Sequence, residues 1–177
     1  MANYSINASS AIRNYLWDQL KSENSDVNPG QKMFNEQDYD YQNSGNIWIP
    51  IFPSQQEPEL DGFFQNKKHI IYNYVADGYE DNWLICRDSM LFTIYSSNYS
   101  EIVEVQEFML DLFRRMDDSA KDINNYLGQT SPFIFYSISL TDMLSPEPEV
   151  EKAGLMAGQV MIRYKYGRVV TKAGRFA

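Results

Sequence analysis

Apolar positions along the chain follow two periods, one suited to helices and one to strands. Ile12, Leu16 and Leu20 share a helical stripe with Tyr15 and Trp17 at its margins, and Ser9 or Ser10 can cap it. This predicts a first helix ending near Lys21 or Ser22. From Glu23 to Asn46 the residues turn to Asn, Ser, Asp, Gln, Gly and Pro, with Asn28-Pro29-Gly30 as a turn signal and Tyr39-Asp40-Tyr41 as an aromatic cluster. That stretch predicts a long inserted loop. The run Ile47-Trp48-Ile49-Pro50-Ile51-Phe52 is rich in strand formers, but Pro50 has no N–H to give a ladder, so this strand belongs at an edge or a bulge. A second strand is expected from His69 to Val75 and a third from Trp83 to Tyr95. The polar residues Asp77 to Asn82 between them suit an antiparallel hairpin.

In the third strand Leu84, Cys86, Met90, Phe92 and Ile94 fall on one face and Arg87, Ser89 and Thr93 on the other. Asp88 interrupts the apolar face, which implies an edge or a bulge. Asn98 with Glu101 three residues later has capping-box spacing. The helix that follows presents Ile102, Val105, Met109, Leu112 and Met116 to a core, with Phe108 and Phe113 widening the stripe. Beyond Asp117-Asp118 the periodicity fades as far as Gly128. A fourth strand is expected over Phe133 to Leu140, a loop over Leu144 to Glu151 because Pro146 and Pro148 oppose regular pairing, and a fifth strand over Gln159 to Tyr166. The order α-β-β-β-α-β-β, with helices segregated from about four to five mostly antiparallel strands, predicts a two-layer α+β domain over all 177 residues. No internal repeat is present.

Composition sharpens this picture. With 13 Tyr, 10 Phe and 3 Trp the chain has ample material for a core. A net charge of −9 argues against general affinity for nucleic acid. Yet from Lys152 to Ala177 there are six basic residues and no acidic one. The basic end has two readings: an ordinarily solvated terminus, or a charged arm that docks on an acidic neighbour or another copy of the chain. Tyr164, Tyr166 and Phe176 lie among those cations, as in interface cores. Cys86 is alone, so no intramolecular disulfide is possible, and a reducing cytosol suits it. No signal peptide pattern and no membrane-spanning apolar run is seen.

Candidate chemistry is sparse. His69 is the single histidine and starts a strand, so any relay or metal site has to use it, with Asp77 or Asp81 as the partner of a small hydrolase or metal-binding protein. Asp77, Glu80 and Asp81 read as a solvated turn without EF-hand spacing. Glu57, Glu59 and Asp61, like Glu147, Glu149 and Glu151, alternate in proline-containing loops without the enclosure that acid–base pairs need. No phosphate loop or nucleotide fingerprint occurs. The reading is a non-enzymatic protein with no cofactor and no metal.

The strand Trp83-Leu-Ile-Cys-Arg-Asp-Ser-Met-Leu-Phe-Thr-Ile-Tyr95, passing through Ser96-Ser97 into an acidic amphipathic helix to Met116, resembles the strand-to-helix core of the tail terminator, or tail completion, proteins of long-tailed bacteriophages. The unit Thr93-Ile-Tyr-Ser-Ser-Asn-Tyr-Ser-Glu101 carries the likeness, and the whole is similar to proteins of this class from T4-like myoviruses. The resemblance implies a virion protein at the tail–neck junction, assembled in the host cytoplasm. It implies a hexameric ring of identical subunits that caps the tail tube, ends elongation and receives the head connector or neck, with the tail sheath as a further neighbour. Genome DNA then passes through the lumen without specific binding, and no membrane is involved. Arg163, Lys165, Arg168, Lys172, Arg175, Phe176, Tyr39 and Tyr41 become the expected contact residues. The segments 23–46, 144–151 and 167–177 become the expected contacts to tube, sheath or connector. A neck, sheath-stabilising or head-completion ring is the alternative within the same class.

Overall fold

Strands β1 (Ile51–Pro53), β2 (His69–Tyr79), β3 (Ile85–Ser96), β4 (Phe133–Pro148) and β5 (Met156–Arg168) form one sheet in the order β1-β2-β3-β5-β4. Helices α1 (Tyr4–Leu20), α2 (Pro29–Met33), α3 (Tyr99–Phe113) and α4 (Asp117–Leu127) accompany it. This architecture comes from a computed structural model that describes residues 4–24, 26–34, 49–56, 67–79 and 85–168. The fold is α+β, as the sequence predicts, with α2 and α4 added to the expected order. The hairpin β2–β3 and the pairs β3–β5 and β4–β5 are antiparallel. The exception is β1, which runs parallel to β2 from Ile51 opposite Ile70 to Pro53 opposite Tyr72.

Proline explains where β1 sits. Pro50 precedes it and contributes only its carbonyl, which accepts from the Ile70 N–H at 2.7 Å, and Pro53 ends it. A strand so poor in donors belongs at the sheet edge, as expected. The register of β2 on β3 shifts between Ala76 and Gly78, opposite Asp88 and Arg87. The bulge inferred from Asp88 is therefore present on the partner strand, while β3 itself is central and not an edge.

The strand-to-helix passage is held by short polar links. The Asn98 side chain accepts from the Ser100 N–H at 3.0 Å, capping α3. Glu101 does not return to the Asn98 N–H as a capping box would. Its carboxylate accepts from the Ser96 hydroxyl at 2.6 Å and from Lys68 Nζ at 2.5 Å, so strand β3, helix α3 and the start of β2 are tied at one point. Ile102, Val105, Met109 and Phe113 are fully buried against the sheet, where Met90, Phe92 and Ile94 face them. Each such side chain contributes about 2 kcal/mol by leaving water. The helix lies so close that a Cβ on Gly158 of β5 would meet Ile102 Cγ2 at 2.5 Å, which leaves glycine as the residue that fits there.

Several expectations are corrected. Met116 is not core. The helix stops at Phe113, and Met116 sits one turn too far, 55% exposed, at the N-terminus of α4 with φ 43°. Leu112 is half-buried, packing on the margin of the core. Residues 117–127, where the apolar pattern fades, form α4, which buries Ala120 and Ile123 and closes on Gly128 at φ 73°. Asn28-Pro29-Gly30 opens α2, with Pro29 in its first turn, inside the stretch expected to be all loop. Helix α1 begins well before Ser9 and Ser10, whose hydroxyls hydrogen-bond Tyr72 and do not cap the helix.

The expected loop over Leu144 to Glu151 is in part strand: β4 continues to Pro148. Because β4 is the other edge of the sheet, Pro146 is absorbed in the shift of register between Leu144 and Glu147. Two further shifts, at Phe135/Ser137 and Leu140/Asp142, kink the same edge. Helix α4 covers part of it: the Asn124 amide donates to Phe135 O at 2.8 Å and accepts from Phe135 N at 2.9 Å, and Met116 forms a bridge with Ile138. Bulges, prolines and a side-chain cover are how a long edge strand avoids pairing with foreign strands.

Candidate functional site

All the helices that contact the sheet feed one core, so the other side of strands β3 and β5 is left outward. Strict alternation sends Val160, Ile162, Tyr164 and Tyr166 inward and Met161, Arg163 and Lys165 outward. The register then sets Arg87 opposite Lys165, Ser89 opposite Arg163 and Leu91 opposite Met161. Across β4, Ser137 pairs with Lys165 and Ser139 with Arg163. Of these, Arg87, Arg163, Lys165, Ser137 and Ser139 line an open concavity of about 500 Å³, together with Met116 and Tyr164. Three cations share it, and no carboxylate lies among its lining residues.

A second concavity on these strands, about 110 Å³, is lined chiefly by Leu91, Met143, Leu144 and Met161, with Asp142 and Gln159. Ile134, Tyr136, Met143 and Leu144 of β4 are all exposed large apolar residues. Tyr136 lies on Gly167, where a Cβ would meet its hydroxyl at 2.7 Å. The outward side thus sets its cations between Ile134 and Tyr136 on one flank and Leu91, Met143, Leu144 and Met161 on the other, unlike a merely solvated sheet surface.

The helical layer carries the opposite charge. On α3, Glu104, Glu107 and Asp111 stand diametrically opposite the buried stripe and are exposed. Asp111 pairs with Arg114 at 3.3 Å.

Of the contact residues expected from sequence, Arg163 and Lys165 meet in this concavity. Arg168 ends β5, paired through its backbone with Phe133. Lys172, Arg175, Phe176, Tyr39 and Tyr41 lie outside the described residues. Tyr164 and Tyr166, expected near the interface, are instead core residues, 1% and 0% exposed. Lys152, counted with the basic end, is also buried. Arg87 was not singled out by sequence reading, because only the pairing of β3 with β5 places it beside Lys165.

His69 is fully buried at the start of β2. Its Nδ1 lies 2.6 Å from Lys67 O and its Nε2 3.0 Å from Lys152 Nζ. A carbonyl only accepts and an ammonium only donates, so these partners select the tautomer with the proton on Nδ1. The ring stacks between Tyr95, at 4.7 Å and 21°, and Phe52, at 5.8 Å and 11°, while Lys152 Nζ also lies 4.5 Å from the Tyr95 ring centre. Asp77 is eight residues along the same strand, about 26 Å at the usual rise. A His69–Asp77 relay is therefore not assembled, and Asp81, Glu80, Glu57, Glu59 and Asp61 lie outside the described residues. Among the described residues no group of three His, Cys, Asp or Glu side chains converges as a metal site would need.

The perturbed tyrosines belong to packing. Burial raises Tyr164 far above its ordinary value, and the Asp88 carboxylate adds to the effect. Tyr126 is pushed up to about 12 by burial and by its hydrogen bond to Asp18. Among the described residues no helix is long and apolar enough to cross a membrane. No protein-family model matches the chain, and no curated protein sequence matches it.

Proposed function

We propose that the protein is a non-enzymatic assembly subunit of the phage tail-terminator type, which forms a ring, hexameric by that resemblance, on the end of the tail tube, ends its elongation and offers the head connector a surface. The observation that carries this reading is the outward sheet face, where cations and exposed apolar side chains occur together over strands β3, β5 and β4. Apolar residues clustered on an otherwise ordered surface favour another protein as their cover. The strand-to-helix unit of the resemblance supports the reading from a second side, since β3 and α3 form the centre of the fold.

A closed ring of identical subunits needs two different, complementary faces on each copy. The acidic helical layer and the cationic sheet layer are two such faces. The virion tail–neck junction, with tube, connector and sheath proteins as neighbours, is the setting this function requires. The test is to add purified protein to polymerising tail tubes and image the ends by negative stain. Rings on tube ends with shortened tubes are expected, whereas bare ends and unchanged lengths overturn the reading. Binding to sheath or head without capping tubes assigns the protein to the neighbouring neck, sheath-stabilising or head-completion class.

A further inference from the structure

We infer that the apolar groove on the outward face of the sheet receives residues 169–177 of a second copy of the chain, with Phe176 seated among Met143, Leu144 and Met161 and Arg175 facing Asp142. The inference rests on the self-assembly reading above and names its interface.

Chemistry of the groove is the first argument. Its walls are Leu91, Met143, Leu144 and Met161, and Asp142 is the single charged residue among those that line it. Met143 and Leu144 are 40% and 55% exposed, which is unfavourable for apolar side chains that nothing covers. No ion pair within the described residues holds Asp142. The groove therefore suits an apolar side chain with a cation beside it, and its two methionines make an adaptable seat for an aromatic ring.

Composition of the chain end is the second. Beyond Arg168 come Val169, Val170, Lys172, Arg175 and Phe176, with no acidic residue. Arg175 and Phe176 adjoin, which is the pairing of cation and ring that the groove calls for. An apolar cavity of about 150 Å³ accommodates benzene. An open groove of about 110 Å³ thus takes most of one phenyl ring.

Reach is the third, and it selects the second copy. Asp142 pairs with Met161, which lies seven residues back along β5 from Arg168, about 23 Å at the usual rise. From Arg168 to Phe176 the chain spans at most about 29 Å, and a reversal of direction that takes up about two residues leaves roughly 20 Å. The end of the chain thus falls short of its own groove. Groove and chain end are different surfaces, so the contact between copies is heterologous and can close a ring.

The test uses the full chain. Asp142 is exposed, so the variants are expected to fold, and circular dichroism melts within a few degrees of the parent check this. D142K and R175E are each expected to weaken self-association at least about tenfold in apparent Kd, and D142K/R175E in one chain to return within about threefold of the parent. F176A is expected to weaken it as the single charge variants do. A synthetic peptide of residues 169–177 is expected to shift the methyl signals of Met143 and Met161 and to leave the buried Met109 unmoved. Parent-like assembly of the single variants, a charge swap that recovers nothing, or unmoved Met143 and Met161 signals overturns the interface and leaves the assembly reading standing. A parent chain that is monomeric at every concentration and leaves tubes uncapped overturns both. If the Met143 and Met161 signals differ between dilute, monomeric parent and F176A, the chain end fills its own groove and the inference fails. If the variants assemble like the parent but no longer cap tail tubes, the groove belongs to the tube and the inference fails.

Discussion

The side-chain amide of Gln106 donates to the carbonyl of Leu144 at 2.6 Å, and the same nitrogen donates to Gln159 O at 3.0 Å. Gln106 is buried on α3, and Leu144 is the last paired residue of β4 before the register shift around Pro146. One amide thus compensates for the ladder that proline interrupts and fixes the helix over both strands. Gln106→Leu leaves two carbonyls without this donor, and the cost of an unmet buried acceptor is about 1–3 kcal/mol. Urea denaturation is expected to show a loss in that range with an unchanged m-value. A loss under about 0.5 kcal/mol contradicts this role.

His69 acts as a structural plug. Replacing it with alanine opens a space between Phe52 and Tyr95 and removes the imidazole acceptor of Lys152, and a loss of about 3 kcal/mol is expected by analogy with other large-to-alanine core changes. His69→Phe with Lys152→Met restores the stack without the polar pair. That double variant is expected to recover more than half of the loss, and the coupling is read from the double-mutant cycle. Equal stabilities for His69→Ala and the parent would remove the plug.

Stability at alkaline pH depends on phenols that the fold shields to different degrees. Tyr164, Tyr15, Tyr72 and Tyr126 all have raised values in the fold, each first by burial. Above pH 10 the unfolded chain has lost protons that the folded chain keeps, so stability falls as pH rises. The contribution is complete below the ordinary value of 10.0 and declines above it, for Tyr126 up to about 12 and for Tyr164 beyond that. Tyr164 Oη meets no hydrogen-bond partner among the described residues. Tyr164→Phe is therefore expected to keep or raise stability at pH 7 by up to about 1 kcal/mol and to flatten the decline above pH 10. A steeper decline in thermal melts from pH 9 to 12 would contradict the assignment.

Met116 holds φ 43° between α3 and α4, a region where side chains are strained. Its own side chain is largely exposed, so little packing is lost without it. Met116→Gly is expected to raise stability by about 0.5–1 kcal/mol, measured by chemical denaturation. Destabilisation beyond about 1 kcal/mol would show that the bridge with Ile138 needs the methionine.

What the sequence made legible was local. Pro50 marked an edge, Asp88 a bulge and the period-2 run through Phe92 and Ile94 the buried face of β3, because each is a property of one strand. Helix α4 escaped notice because Ala120, Ile123 and Leu127 are a thin stripe among Asp, Asn and Lys, although Asp117-Asp118 and Gly128 mark its ends. The continuation of β4 through Pro146 and Pro148 was hidden because proline's fate depends on edge position, which only the sheet order decides. The candidate site divides the same way. Arg163 and Lys165 stood out as basic residues on an alternating strand, but Arg87 joins them through register, and Lys152 leaves the basic set because it is buried beside His69.

The solution mass of the purified chain, measured by light scattering across concentration and salt, tests the central claim most directly. A closed ring is predicted, roughly 120 kDa for six copies of the 20.6 kDa chain. A monodisperse 20.6 kDa species at every concentration and salt, unchanged when tail tubes are added, would contradict it.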